Sequence, residues 1–213
     1  MDRAEITSLA ELVDVVGTPI PRVAQKERQV LDPMDVVWIS RSPFLLIATS
    51  AVDGSCDVSP KGDPAGFVRV LDERTIAVPE RPGNRRVDGY RNVLSNPHVG
   101  LIFLVPGRND TLRVNGRARL VRDAPYFDAM VVKGHRPILA LEVDVEEVFY
   151  HCAKAFLRSG LWTPESWDPD GLPPRAEIAA ALERPDMTRA ELDKYYGPEY
   201  ATRLYQDSVP QPS

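Results

Sequence analysis

Residues 98–122, HVGLIFLVPGRNDTLRVNGRARLVR, decide how the chain folds. The first eight are a continuous apolar run, the length and character of a strand buried on both faces. PGRND (106–110) then turns the chain. In TLRVNGRARLVR (111–122), Leu112, Val114, Gly116, Ala118 and Leu120 alternate with polar or basic residues. A period of two marks a strand with one buried face.

The same alternation of strand and turn continues on either side. FLLIATSA (44–51), the turn Val52-Asp53-Gly54 and CDVS (56–59) predict a hairpin. PKGDPAG (60–66) reads as a loop, too rich in proline and glycine for regular structure. FVRVL (67–71), a DER turn and TIAVP (75–79) read as a second hairpin, followed by the loop ERPGN (80–84). Asn84 is placed to cap a helix over 85–95, which Asn96-Pro97 stops. A short helix is expected over Pro125–Val131, and ILALEVDVEEVFY (138–150) is the last and longest strand. Six or seven strands, mostly joined by hairpins, predict an antiparallel barrel or curled sheet with peripheral helices. A doubly wound dinucleotide fold needs alternating β and α units and a glycine fingerprint, and neither is present.

Helices flank this β-rich middle. Ser8 and Glu11 form a capping box ahead of an apolar stretch that Gly17 ends, and Thr18-Pro-Ile-Pro21 is a linker. A second helical stretch is expected from Val23, restarting at Asp32-Pro33, with Met34, Val37, Trp38 and Arg41 on one face. CAKAFLRS (152–159) is a short helix with Gly160 past its end. PESWDPDGLPP (164–174) is irregular, and RAEIAAALE (175–183) and TRAELDKYY (188–196) form a helical tail. Three regions follow: an N-terminal helix and linker (1–22), a β domain (23–163), and a proline-rich helical tail (164–213).

Composition narrows the function. With 26 Lys+Arg against 31 Asp+Glu the net charge is −5, which argues against a general nucleic-acid binder. The longest apolar run is about eight residues, short of the ~20 that span a bilayer. The start, MDRAEITSLAELVDVVG, carries acids and lacks the basic-then-apolar pattern of a secretory leader, so a cytoplasmic location is expected. Cys56 and Cys152 form no CxxC and build no zinc site; Cys152 is expected to be a small buried residue. G-x-S-x-G, H-E-x-x-H and P-loop motifs are absent.

Against that acidic background, ERPGNRRVDGYR (80–91) carries four arginines and two acids. Asn84-Arg85-Arg86 falls at the expected helix start, where free N–H groups carry about half a positive charge. Two arginines there oppose the dipole unless an anion is bound, and a phosphate resolves the conflict. A solvated basic helix start is the plainer reading, and spacing alone leaves both open. Lys61, at the end of strand 56–59, is placed to reach the same anion or to remain a surface lysine. His151, Lys154, Arg158 and Trp162 fall on one face if 151–162 is helical. They form a basic, aromatic-ended stripe suited to an anionic or aromatic ligand, or to plain solvation beside a core tryptophan.

Taken together, "SPFLLIATS", "DVSPKGDPAGFVRVLDERTIAVPERPGNRR", "NPHVGLIFLVPG", "TLRVNGRARL" and "HCAKAFLRS" resemble the FMN-binding split-barrel proteins related to pyridoxamine 5′-phosphate oxidase. The similarity spans roughly residues 24–162 and is greatest to a bacterial subfamily defined only by its expected FMN dependence. It implies a six-stranded antiparallel split β-barrel, and a homodimer with FMN at the subunit interface. The resemblance implies that Lys61, Asn84, Arg85 and Arg86 hold the FMN phosphate. It also implies that the backbone at Val58, Ser59 and Pro60 runs along the flavin edge, and that Thr111 stands where the oxidase has a glutamine. His151, Lys154 and Trp162 would close the cofactor site from the other subunit, with Arg158 toward substrate. Cys56 replaces the oxidase's arginine, Pro79-Glu80 replace its Tyr-Thr pair, and its C-terminal substrate motif has no counterpart. The expected activity is that of an FMN-dependent oxidoreductase acting on a small molecule, with no membrane or nucleic-acid partner and no assigned catalytic residue, because the flavin carries the hydride chemistry. A non-catalytic flavin or haem binder is the alternative, and a deazaflavin-dependent reductase or a pyridoxamine 5′-phosphate oxidase a weaker one.

Overall fold

Seven antiparallel strands form one curled sheet in this computed structural model, which describes residues 3–205. The strands are β1 (Phe44–Ser50), β2 (Cys56–Gly62), β3 (Arg69–Asp72), β4 (Thr75–Glu80), β5 (His98–Leu104), β6 (Thr111–Val121) and β7 (Leu139–His151). Their spatial order is β2-β1-β5-β6-β7-β4-β3. The 98–122 hairpin is therefore the centre of the sheet, with β5 and β6 paired from His98↔Arg117 to Phe103↔Leu112. The expected mainly-β split barrel with peripheral helices is the fold observed. It has seven strands rather than six, because the short β3 extends the sheet, and it is not closed, since β2 and β3 are both edges.

The apolar alternation sets the inner face. Leu45, Ile47, Ile76, Val78, Leu101, Phe103, Leu112, Val114, Leu141 and Val143 are all buried there. Two helices plug the barrel: α3 (Pro33–Arg41) contributes Trp38 and Ile39, and α4 (Asp88–Ser95) contributes Tyr90 and Val93. Asp32 starts α3 as expected, accepting from the Met34 N–H at 2.9 Å. Asp35 completes the box by accepting from the Asp32 N–H. The fully buried Asp35 also takes both arms of Arg28, at 2.6 and 3.0 Å, which ties the preceding segment to the helix.

Several local expectations are corrected. The 60–66 loop is shorter than proline and glycine suggest, because β2 continues through Pro60, Lys61 and Gly62. Pro60 is tolerated because an edge strand needs ladder bonds on one side only. The helix expected over 85–95 begins at Asp88. Asn84 spends its side chain on a local turn, accepting from the Arg86 N–H at 2.9 Å, and Arg85 adopts a positive φ of 62°. Residues from Val23 do not form an extended helix; one turn, α2 (Pro21–Ala24), follows α1 (Leu9–Val16), and both are exposed. Cys152 is exposed, not buried.

The tail folds as expected into α6 (Arg175–Leu182) and α7 (Arg189–Tyr195), the latter with its Thr188/Glu191 capping box. Ala176, Ala179 and Leu192 make a small second core. A further short helix, α5 (Lys154–Ser159), follows β7. Among the described residues no helix is long and apolar enough to cross a membrane.

The register shift between Asn115 and Gly116 lets the long β6 keep pairing with β7 while it bends. A Cβ at Gly116 would lie 2.1 Å from the Asp144 carbonyl oxygen. Gly116→Ala is therefore expected to cost about 1–3 kcal/mol, read as a lowered denaturant midpoint at unchanged m. An unchanged midpoint would show that the bulge relaxes freely.

Candidate functional site

The opening of the barrel lies between the free edge of β2 and the end of β4. Because β2 alternates, Asp57, Ser59 and Lys61 face inward beside Thr49, Ile47 and Leu45, while Val58 and Pro60 face out. The strand end Pro79-Glu80 and the loop Arg81–Asp88 form the other wall. The cleft between these walls has a volume of about 360 Å³ and brings Ser59, Lys61, Asn84 and Arg86 together. Arg85 lies on the far side of the same loop, in an adjoining hollow with Ile138 and Leu139. Lys61, Asn84 and Arg86 thus meet across the split, and Asp88, the first residue of α4, lines the same cleft.

Charge in the cleft is balanced. Its bases are Lys61, Arg81 and Arg86; its acids are Asp57, Glu80 and Asp88. Lys61 forms a short ion pair with Glu80, both side chains being less than one-fifth exposed. The Tyr90 hydroxyl also donates to Glu80, at 2.5 Å. Burial, then the Glu80 charge, push the Tyr90 hydroxyl far above its ordinary range, so it stays a donor. Arg81 donates from Nε to Asp63 at 2.6 Å and from its two amino groups to the His135 and Met130 carbonyls. Its role is structural: it locks the loop to β2 and to the 125–135 segment. Arg86 pairs with Asp88, but the arginine is 79% exposed, so this bond is readily exchanged for another anion. Ser59 donates to Asp57 at 2.7 Å.

The second expected group does not form a single helical stripe. His151 ends β7, only Lys154 and Arg158 lie on α5, and Gly160 in the left-handed region stops the helix before Trp162. Trp162 turns away to donate to the Arg108 carbonyl at 2.7 Å and to stack on Phe156. Lys154 and Arg158 are exposed. Thr111 is buried opposite His151 at the β6–β7 pairing. Two cations that the sequence reading passed over join His151. Lys26 and Arg113 lie over the Phe149 ring at 4.8 and 5.0 Å. Burial, then Arg113 and Lys26, lower the His151 pKa, which favours its neutral form. Arg113 was legible in principle, since alternation puts it on the face of Thr111 and Asn115.

The two groups stand apart within one chain. Glu80 pairs with Leu139 at the start of β7, and His151 ends that strand. At about 3.3 Å per residue the strand path between them is on the order of 40 Å. The sheet face that carries His151 is largely apolar toward the β2 side. Phe44, Leu46, Ala48, Val58, Pro60, Ile102 and Leu104 share it, with Val58 60% exposed.

The pyridoxamine 5′-phosphate oxidase family profile matches residues 33–152, more than half of the chain. The chain belongs to the pyridoxamine 5′-phosphate oxidase family. Residues 1–32 and 153–213, which include α5 and the whole tail, lie outside the family match. No curated protein sequence matches significantly. Among solved structures, a Lactobacillus delbrueckii protein provisionally described as a pyridoxamine 5′-phosphate oxidase is 25% identical, covering 59% of this chain and 99% of its own, with a TM-score of 0.46. HupZ from Group A Streptococcus is 20% identical over 56% of this chain and 93% of its own, with a TM-score of 0.45. An FMN-binding protein from Syntrophomonas wolfei is 12% identical over 56% and 88%, with a TM-score of 0.42.

Glu80 is the counter-ion of Lys61, so its charge competes with any anion added to the cleft. Glu80→Gln is expected to lower the inorganic phosphate concentration that half-saturates thermal stabilisation by about tenfold. Equal phosphate dependence in wild type and variant would remove Lys61 from the anion site.

Proposed function

We propose that this family member is an FMN-dependent oxidoreductase whose cleft across the barrel split holds the cofactor phosphate. The observation that carries the reading is the meeting of Lys61, Asn84 and Arg86 in one cleft beside the open edge of β2. The donor set suits a phosphate. Arg86 faces solvent and exchanges its partner at little cost, Arg85 has no ion-pair partner among the described residues, and Lys61 follows once Glu80 yields. The unpaired edge of β2 offers backbone N–H and C=O groups, around Val58, Ser59 and Pro60, to the polar rim of a planar ring.

Bound flavin supplies hydride transfer, and the chain orients it and excludes water. Lys61 and Arg86 anchor the phosphate, while Arg85, expected to share that role, lies on the far side of the loop and outside the cleft. The neutral His151, Lys26 and Arg113 offer donors and positive charge, with Lys154 and Arg158 on exposed α5 nearby. Thr111 and Trp162 hold the β6–β7 end in place through backbone pairing and the bond to Arg108. Because the strand path separates His151 from the cleft, these groups reach one ligand only from two chains. The exposed apolar face of β1, β2 and β5 is the surface on which a second copy seats, giving a two-fold dimer with shared sites. A small-molecule substrate, a cytoplasmic location and the absence of membrane and nucleic-acid partners complete the proposal.

The test is a pair of titrations. Arg86→Ala should weaken FMN by about tenfold, the low end for an exposed charge-assisted bond, and leave riboflavin unchanged. Equal loss for both ligands contradicts a phosphate grip. Val58→Asp should convert a particle of twice the chain mass in light scattering into one of single mass, with weaker FMN binding. Tight FMN binding by a single chain contradicts the shared site. Reduction of the bound flavin by NADH or NADPH, followed by turnover, separates an enzyme from a non-catalytic binder.

A further inference from the structure

Tyr205, the last described residue of the tail, is held beside the loop that walls the cleft. The Tyr205 hydroxyl donates to Asp63 at 2.5 Å, the carboxylate that also holds Arg81, and its ring stacks on His135. This contact draws the turn after α7 against the loop Pro82–Asn84. Between them lies a pocket of about 110 Å³, walled by Tyr195, Tyr200 and Leu204 and by the backbone of Pro82 and Gly83. A 150 Å³ apolar cavity accepts benzene, so this space is on the scale of one ring.

Arg203 supplies the charge. Residues 164–205 hold four arginines, of which Arg175, Arg184 and Arg189 each pair with a carboxylate. Arg203 has no such partner among the described residues. Its Nε is buried without a hydrogen bond, and one amino group reaches the Tyr195 carbonyl only at 3.4 Å. The guanidinium lies over the Tyr195 ring at 5.7 Å. A partly buried cation with unused donors, set among tyrosine rings, is what an aromatic anion recognises. One cation matches one negative charge, which favours a carboxylate over a doubly charged phosphate.

We propose that this pocket is a second ligand site, which takes a small aromatic carboxylate with its ring against Tyr195 and Tyr200 and its charge on Arg203. The site touches the loop that carries Arg85 and Arg86 and does not reach β2. It shares Pro82, Gly83 and Asn84 with the cleft, so its ligand sits against the loop beside the candidate phosphate site.

The test uses the full chain without flavin, so its failure leaves the flavin reading standing, and a failed flavin titration leaves this site standing. Fluorine NMR of 4-fluorobenzoate, compared with 4-fluorobenzyl alcohol, reads the site directly. Wild type should broaden the benzoate signal saturably, with an affinity about tenfold above the alcohol. Arg203→Gln should bring the benzoate down to the alcohol's level, Arg203→Lys should restore part of the difference, and Tyr200→Ala should weaken both probes. No saturable broadening in wild type, equal affinity for the two probes, or an unchanged benzoate affinity in Arg203→Gln would each overturn the proposal.

Discussion

Lys61 and Glu80 meet across a seam that has no backbone ladder. The sheet ends at β2 on one side and at β3 on the other, and among the described residues no strand pairing closes the gap, so side chains bridge the opening. Two ion pairs do so, Lys61–Glu80 and Arg81–Asp63, and both are largely shielded from water. Removing one partner of such a pair leaves a charge that is costly to bury, about 3–5 kcal/mol in fully buried cases. The seam is thus firm where Arg81 holds the loop, through three hydrogen bonds to β2 and the 125–135 segment. It is exchangeable where Lys61 waits on Glu80.

That difference divides structure from function along one short stretch. Arg81 is consumed by the fold, the exposed Arg86 is lightly held by Asp88, and Arg85 is unpaired among the described residues. Of the basic groups that line the cleft, Arg86 is therefore the most readily exchanged, and Lys61 is held by a carboxylate. The same loop, on its other side, forms a wall of the pocket made by the tail. The tail lies outside the family match, and Tyr205 brings it against Asp63 and Arg81, which lie within that match.

The barrel was legible because strand alternation is local. The buried run of β5, the alternating β6 and the hairpin turns each carry their signal within a few residues, whereas the pairings of β1 with β5 and of β4 with β7 join strands far apart in the chain and have no local signal. Terminal details were not. Pro60 and Gly62 look like loop residues, yet an edge strand tolerates them. Asn84 looks like a helix cap, yet it closes a turn three residues earlier. The cluster of Lys61, Asn84 and Arg86 was readable from charge in an acidic chain. Glu80 as the counter-ion of Lys61 was not, because its partner lies 19 residues away across the split. The His151 stripe failed for a related reason. A helical period does not cross the boundary between β7 and α5, and a residue at a strand end does not share a helix face. Lys26 and Arg113 come to His151 from separate segments, so no spacing in the sequence announces them.

The most direct measurement is the visible spectrum of the purified protein, with mass identification of the molecule that heat releases. A flavin spectrum and release of FMN, about one per chain, is the result this account predicts. A Soret band, release of a flavin without a phosphate, or a colourless protein that takes up no FMN when it is added would contradict it.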